Sequence, residues 1–108
     1  ILFLEDIDEY LYSFERMLVH MKEAGMFENI KGLIFGELKD MKDQEVKFER
    51  NIDQIILDIC GDLNVPILSN FPCGHGKFQS TLPLSINTEI DTKNNEMPVT
   101  LIDNAVEL

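Results

Sequence analysis

The chain has 108 residues, of which 44% are hydrophobic and 27% charged, a composition typical of one soluble globular domain. Acidic side chains outnumber basic ones by 20 to 9, and the formal net charge of -11 would repel nucleic-acid phosphates and anionic membranes. No apolar run approaches the roughly 20 residues that span a bilayer. We therefore expect neither a nucleic-acid partner nor membrane insertion.

The N-terminal segment predicts a buried strand followed by a helix. Residues 1–4 are continuously apolar and run into Glu5 and Asp6. Asp6 or Asp8 can cap a helix from about residue 8 to residue 24, because apolar residues recur there at three- and four-residue steps. Since the predicted strand starts at the first residue without an initiator methionine, we expect the chain to be a piece of a longer protein.

The middle of the chain predicts two more strands and a second helix. A short apolar run bracketed by Gly32 and Gly36 is typical of a buried strand. The charged residues 37–49 predict a solvated loop, and an apolar stripe then predicts a helix that ends at Gly61. The stripe consists of Phe48, Ile52, Ile55, Ile56 and Ile59. Residues 66–68 predict a third strand, and this alternation implies right-handed crossovers and a parallel sheet.

The C-terminal third predicts a β-hairpin. Apolar residues alternate over residues 84–91 and again at residues 99–101, with a polar turn at residues 93–95 between them. We therefore predict an α/β domain of the swivelling type, with a mostly parallel sheet, flanking helices and a C-terminal β-hairpin.

The candidate catalytic residues are Glu5 and His75. Glycines on both sides of His75, Gly74 and Gly76, let the backbone turn sharply and leave the imidazole uncrowded. Sites in open α/β sheets lie at the carboxyl ends of parallel strands, where Glu5 and His75 are both predicted to be. Asp6 points to the other face of the strand and is interpreted as a helix-start residue. A carboxylate that accepts the Nδ1 hydrogen would leave Nε2 free to take a proton. The alternative is that Glu5 only favours the helix start and His75 is an ordinary loop histidine.

The sequence offers no clear nucleophile and no metal or cofactor motif. No serine lies in a Gly-x-Ser-x-Gly turn, and the short separation of Cys73 from His75 does not establish a nucleophile–base geometry. Cys60 and Cys73 lack CxxC or Cys/His ligand spacing, which argues against structural zinc and favours reduced thiols. His20 is interpreted as a solvated helix residue. We predict no cofactor and no metal, since phosphate-binding and dinucleotide glycine motifs are also missing.

Several sequence segments together resemble a known family. In chain order they are ILFLED at residues 1–6, YSFERML at 12–18, GLIFG at 32–36, PIL at 66–68 and GHG at 74–76, followed by LPL at 82–84. This order resembles the C-terminal domain of the LD-carboxypeptidases, the serine peptidases that include muramoyltetrapeptide carboxypeptidase and the microcin C self-immunity hydrolases. The resemblance covers nearly the whole chain and identifies residues 1–108 as one such domain.

The resemblance implies a serine, histidine and glutamate triad divided between two domains. By position, Glu5 would be the acid and His75 the general base, while the serine would lie on a nucleophile elbow in an N-terminal domain absent from this chain. The implied reaction is release of terminal D-alanine from a murein tetrapeptide in the cytoplasm, without a metal and commonly by a homodimer. The isolated chain would then be inactive.

Two other functions remain open. One is hydrolysis of microcin-type aminoacyl sulfamoyl adenylates, which the resemblance also covers. The other is a noncatalytic binding module that has kept the fold and lost catalysis. A serine elbow encoded upstream of Ile1 would favour an enzyme, and its absence would favour the binding module.

Overall fold

The computed structural model describes residues 1–104 and 106. Three parallel strands form one sheet in the order β1–β2–β3. They are β1 (Leu2–Leu4), β2 (Leu33–Glu37) and β3 (Ile67–Gly74). The two crossovers contain α1 (Leu11–Glu23) and α2 (Ile52–Cys60), and a 3-10 turn, Gly61–Leu63, follows α2. An antiparallel pair, β4 (Thr88–Ile90) and β5 (Val99–Leu101), lies after the sheet in the chain, so the predicted fold class is confirmed.

The hydrophobic core lies between the sheet and the two helices. The central strand β2 is buried on both faces, with Leu33, Ile34 and Phe35 at most 1% exposed, as expected for the middle of a parallel sheet. Ile55 and Ile56 of α2 belong to the same buried set and are at most 2% exposed. These contacts hold the helices on the sheet and fix where the strand ends lie.

The first helix begins three residues later than predicted. Its N-cap is Tyr10 and no side chain caps it, so the prediction that Asp6 or Asp8 is the cap is wrong. Residues 7–10 instead pair with residues 39–42 through two isolated parallel bridges. Because these bridges continue the parallel pairing beyond β1 as far as Tyr10, the helix starts only after them.

The second helix has a capping box that the sequence analysis did not use. The side chain of Asn51 accepts a hydrogen bond from the backbone of Gln54, and the Gln54 side chain accepts one from the backbone of Asn51. Phe48 lies before this box, so its place on the helical stripe is wrong, although it packs against the core. Gly61 is the C-cap as expected, but the left-handed residue of this turn is Asn64, with φ of 55°.

The third strand is longer than predicted and the hairpin is shorter. β3 continues to Gly74, and its pairing with β2 is irregular around Gly36. Leu84, which was expected in the hairpin, precedes β4 and is 72% exposed.

Within residues 1–104 and 106, no helix combines the length and apolar character needed to cross a membrane.

Candidate active site

Glu5 and His75 meet at the carboxyl edge of the parallel sheet. Glu5 directly follows β1 and His75 directly follows β3, the two strands that flank β2. Nδ1 of His75 lies 2.6 Å from Oε1 of Glu5. The structure therefore brings together the two side chains that were selected from their positions in the sequence.

This contact determines how the imidazole of His75 is oriented. A neutral imidazole whose Nδ1 faces a carboxylate donates its hydrogen from Nδ1, which leaves Nε2 as the free acceptor. In the described part of the chain, the bond to Glu5 is the only side-chain hydrogen bond that His75 makes. The His75 side chain is 51% exposed and that of Glu5 is 23% exposed, so the carboxylate is shielded while the imidazole faces outward.

A mostly apolar cavity, which Asp6 also lines, borders the shielded carboxylate. It has a volume of about 160 Å³, and Glu5 lines it together with Phe14, Leu18 and Phe35 among others. These side chains offer the carboxylate no hydrogen-bond donor. The Glu5 carboxylate therefore finds its polar partner, the imidazole of His75, on the side away from these apolar side chains.

Two glycines allow the strand ends to approach this closely. A Cβ atom on Gly36 would overlap the carbonyl oxygen of Cys73, and one on Gly74 would lie 3.0 Å from Cγ of Glu5. Gly74 also has φ of 151°, a conformation that L side chains rarely adopt. A larger residue at either position would separate the strand ends that carry Glu5 and His75.

Glu37, which the sequence analysis placed in a solvated loop, is a third ionisable residue at this edge. It is the last residue of β2, and its side chain is only 14% exposed. Its Oε1 atom is buried and has no hydrogen-bond partner among residues 1–104 and 106, while Oε2 lies 3.6 Å from Nζ of Lys39. Glu37 follows an apolar strand just as Glu5 does, so the rule that selected Glu5 would also have selected it.

The other candidate residues lie away from the pair. His20 is exposed on α1, as predicted, and burial raises the pKa of the Cys60 thiol, which keeps it protonated. Both cysteines are free. Over the described residues, no serine or cysteine side chain hydrogen-bonds to His75, and no group of three or more His, Cys, Asp or Glu residues could hold a metal ion.

A larger hollow of about 510 Å³ lies beside the N-terminus of α2, where Asn51, Asp53, Ser69 and Asn70 contribute to its lining. Gly36 lines it as well, but neither Glu5 nor His75 does. The contact between Glu5 and His75 therefore lies outside this hollow.

Comparison with known proteins places the chain in a family. The model of the LD-carboxypeptidase C-terminal domain matches residues 1–90. The microcin C7 self-immunity protein MccF of Escherichia coli is 28% identical over 102 residues, which cover 93% of this chain and 28% of that protein.

Solved structures agree with the family match. The muramoyltetrapeptide carboxypeptidase from Oxalobacter formigenes has a TM-score of 0.67 at 30% identity, covering 78% of this chain and 30% of that one. MccF in complex with glutamyl sulfamoyl guanosine has a TM-score of 0.83 at 20% identity, covering 97% of this chain and 30% of that one, and this likeness concerns the fold alone. The chain thus spans less than a third of the length of these carboxypeptidase-type relatives. It belongs to the LD-carboxypeptidase C-terminal domain family.

Proposed function

We propose that this chain is the acid–base half of a serine LD-carboxypeptidase that releases terminal D-alanine from peptidoglycan tetrapeptides. The observation that carries the proposal is the 2.6 Å contact between Nδ1 of His75 and Oε1 of Glu5, which orients Nε2 outward as a base. The name of the similar Oxalobacter formigenes protein, muramoyltetrapeptide carboxypeptidase, supports the substrate class. The proposal includes a cytoplasmic, homodimeric parent protein.

The nucleophile in this proposal is a serine of an N-terminal domain. Two observations support it: the described residues bring no hydroxyl or thiol into hydrogen bonding with His75, and the chain spans only 28–30% of the similar proteins. The half-exposed imidazole leaves room for a second domain to present its serine to Nε2. The chain alone is then expected to release no D-alanine.

His75 carries the proton through both halves of the reaction. Nε2 takes the serine proton as the hydroxyl oxygen attacks the carbonyl carbon of the bond to D-alanine, and Glu5 stabilises the imidazolium that forms. The imidazolium then protonates the departing amine, and an acyl-enzyme ester remains. In the second half, Nε2 takes a proton from water as the water oxygen attacks the ester carbonyl. The imidazolium returns that proton to the departing serine oxygen, and the shortened peptide is released with a free carboxyl group.

The test is D-alanine release from murein tetrapeptide by the parent protein that contains both domains. His75→Ala is expected to lower kcat by about 10⁴-fold or more, the scale on which serine peptidases depend on their histidine. His20→Ala is the matched control, because His20 is the other histidine and lies exposed on α1. Full activity in His75→Ala, with His20→Ala also active, would refute the assigned role.

A microcin-type hydrolase is the second candidate, favoured by the 28% sequence identity to the microcin C7 self-immunity protein MccF over 93% of this chain. A competition experiment distinguishes the two functions. The parent protein is given a murein tetrapeptide together with an aminoacyl sulfamoyl adenylate, and the substrate that is consumed first identifies the activity. Consumption of neither, in a parent without a serine elbow, would favour the noncatalytic binding module.

A further inference from the structure

Glu37 takes no part in the proposed proton transfers, yet it touches the turn that carries His75. A Cβ atom on Gly76 would overlap the carboxylate of Glu37, so this carboxylate lies directly against the Cα atom of Gly76. The backbone oxygen of Glu37 also lies 3.1 Å from the position of a Cβ on Gly74. Glu37 therefore contacts the residues on both sides of His75.

The carboxylate is held there without strong polar contacts. Oε1 is buried with no hydrogen-bond partner in the described residues, and Lys39, 47% exposed, lies 3.6 Å from Oε2. Burying a charged oxygen without a partner is unfavourable, and an exposed ion pair contributes little. Packing of the side chain between β2 and the turn, rather than charge pairing, therefore accounts for its position.

We propose that Glu37 is a positioning residue for His75: its side chain fills the space under Gly76 and holds residues 74–76 in the conformation that presents Nδ1 to Glu5. Gly76 is the complementary half of this contact. Its φ is not in the left-handed region, so glycine is needed there for the space that Glu37 occupies and not for backbone freedom.

The first test observes the Glu5–His75 pair directly in the 108-residue chain. Long-range ¹H–¹⁵N correlation of the imidazole carbon-bound protons reports which ring nitrogen carries the hydrogen. Glu37→Ala is expected to reduce the fraction of His75 with the hydrogen on Nδ1, and Glu37→Gln, which keeps the volume, is expected to match the wild type. Wild-type ring shifts in a folded Glu37→Ala chain would overturn the proposal, as would an equal loss in Glu37→Gln.

The second test uses the contact between Glu37 and Gly76. Gly76→Ala places a methyl group where the carboxylate lies and is expected to lose Nδ1 protonation as Glu37→Ala does. Because both changes remove one contact, the double variant is expected to be no worse than either single variant. Losses that add in the double variant would contradict a shared contact. Gly61→Ala, with no atom within 4 Å of its added Cβ, and Glu45→Ala, at an exposed residue, are the controls expected to leave the shifts unchanged.

The consequence for catalysis rests on the proposed function. In the two-domain parent, Glu37→Ala is expected to lower kcat for D-alanine release by about 10²-fold with KM unchanged, the scale expected for a misplaced catalytic group. A raised KM with unchanged kcat would mean that Glu37 binds substrate, and would overturn the positioning role. If the wild-type parent releases no D-alanine, the proposed function fails, whereas the ring-nitrogen measurement still decides the role of Glu37.

Discussion

The helix-covered core and the carboxyl edge of the sheet are built in opposite ways. In the core, Leu33, Phe35 and Ile55 are completely buried, and the buried side chains of the described chain are all hydrophobic. At the edge, three ionisable side chains gather around glycines and stay partly exposed, and the His75 ring is open on one side. Substitutions in the core should therefore act mainly on stability and those at the edge mainly on chemistry, although Phe35 also lines the cavity beside Glu5.

The largest expected effect falls on the edge. In the proposed mechanism, Glu5→Gln removes the charge that stabilises the imidazolium, and the new amide group can donate to Nδ1 and favour the wrong tautomer of His75. We expect kcat for D-alanine release by the two-domain parent to fall by about 10⁴-fold, while the free energy of unfolding stays unchanged. Glu45→Gln, at an exposed residue, is the control. Wild-type turnover in Glu5→Gln would contradict the assignment of the chemistry to this edge of the sheet.

The core gives the next largest effect. Phe35→Ala removes a ring that is 0% exposed and packs edge to face on Phe14, with ring centroids 6.2 Å apart. We expect the free energy of unfolding to fall by about 3–5 kcal/mol, measured by urea denaturation. Phe78→Ala, at a ring that is 76% exposed, is expected to change it by no more than about 0.5 kcal/mol. Equal losses from the two substitutions would contradict the assignment of the core.

A smaller effect is expected at the start of α2. Asn51→Ala removes the side-chain half of the capping box with Gln54. The expected loss is about 1 kcal/mol of unfolding free energy, and the ring-nitrogen shifts of His75 are expected to stay unchanged. Asn95→Ala, at an exposed residue in the turn before β5, is the control and should leave stability unchanged. A loss of Glu5–His75 pairing in Asn51→Ala would show that the two regions are coupled.

The smallest effect is pH-dependent and lies on the surface. Hydrogen bonds from Nζ of Lys22, at 2.7 and 2.8 Å, hold the pKa of Asp62 below its ordinary value of 3.8. Because the folded-state pKa is the lower one, the ion pair stabilises the chain above that ordinary value, and its contribution is lost as pH falls through the folded pKa. Urea midpoints of wild type and Asp62→Asn should therefore differ near neutral pH and converge in acid. A difference that persists in acid would contradict the ion pair as its source.

The fold was largely predictable because its elements follow from local patterns. The apolar run before Glu5, the stripe of α2 and the glycines around His75 each predict their element from nearby residues. The start of α1 was not predictable in this way, because residues 7–10 pair with residues 39–42, more than 30 positions away in the chain. Such pairing leaves no periodic signal in either segment.

The candidate site was predictable in part for the same reason. Strand order and the carboxyl-edge rule bring Glu5 and His75 to one edge, but not to a particular distance. Glu37 was missed because a glutamate at the start of a charged run looks like a solvated side chain. Its burial under Gly76 occurs where the pairing of β2 with β3 is irregular, and the sequence pattern does not encode that irregularity.

The most direct test of the acid–base pair is the ring-nitrogen ¹⁵N shifts of His75 in the wild-type chain and in Glu5→Gln, at a pH where the imidazole is neutral. The 2.6 Å contact predicts hydrogen on Nδ1 in the wild type and a shift toward hydrogen on Nε2 in Glu5→Gln. Hydrogen on Nε2 in the wild type, or identical shifts in both chains, would contradict the claim that Glu5 orients His75 as a base.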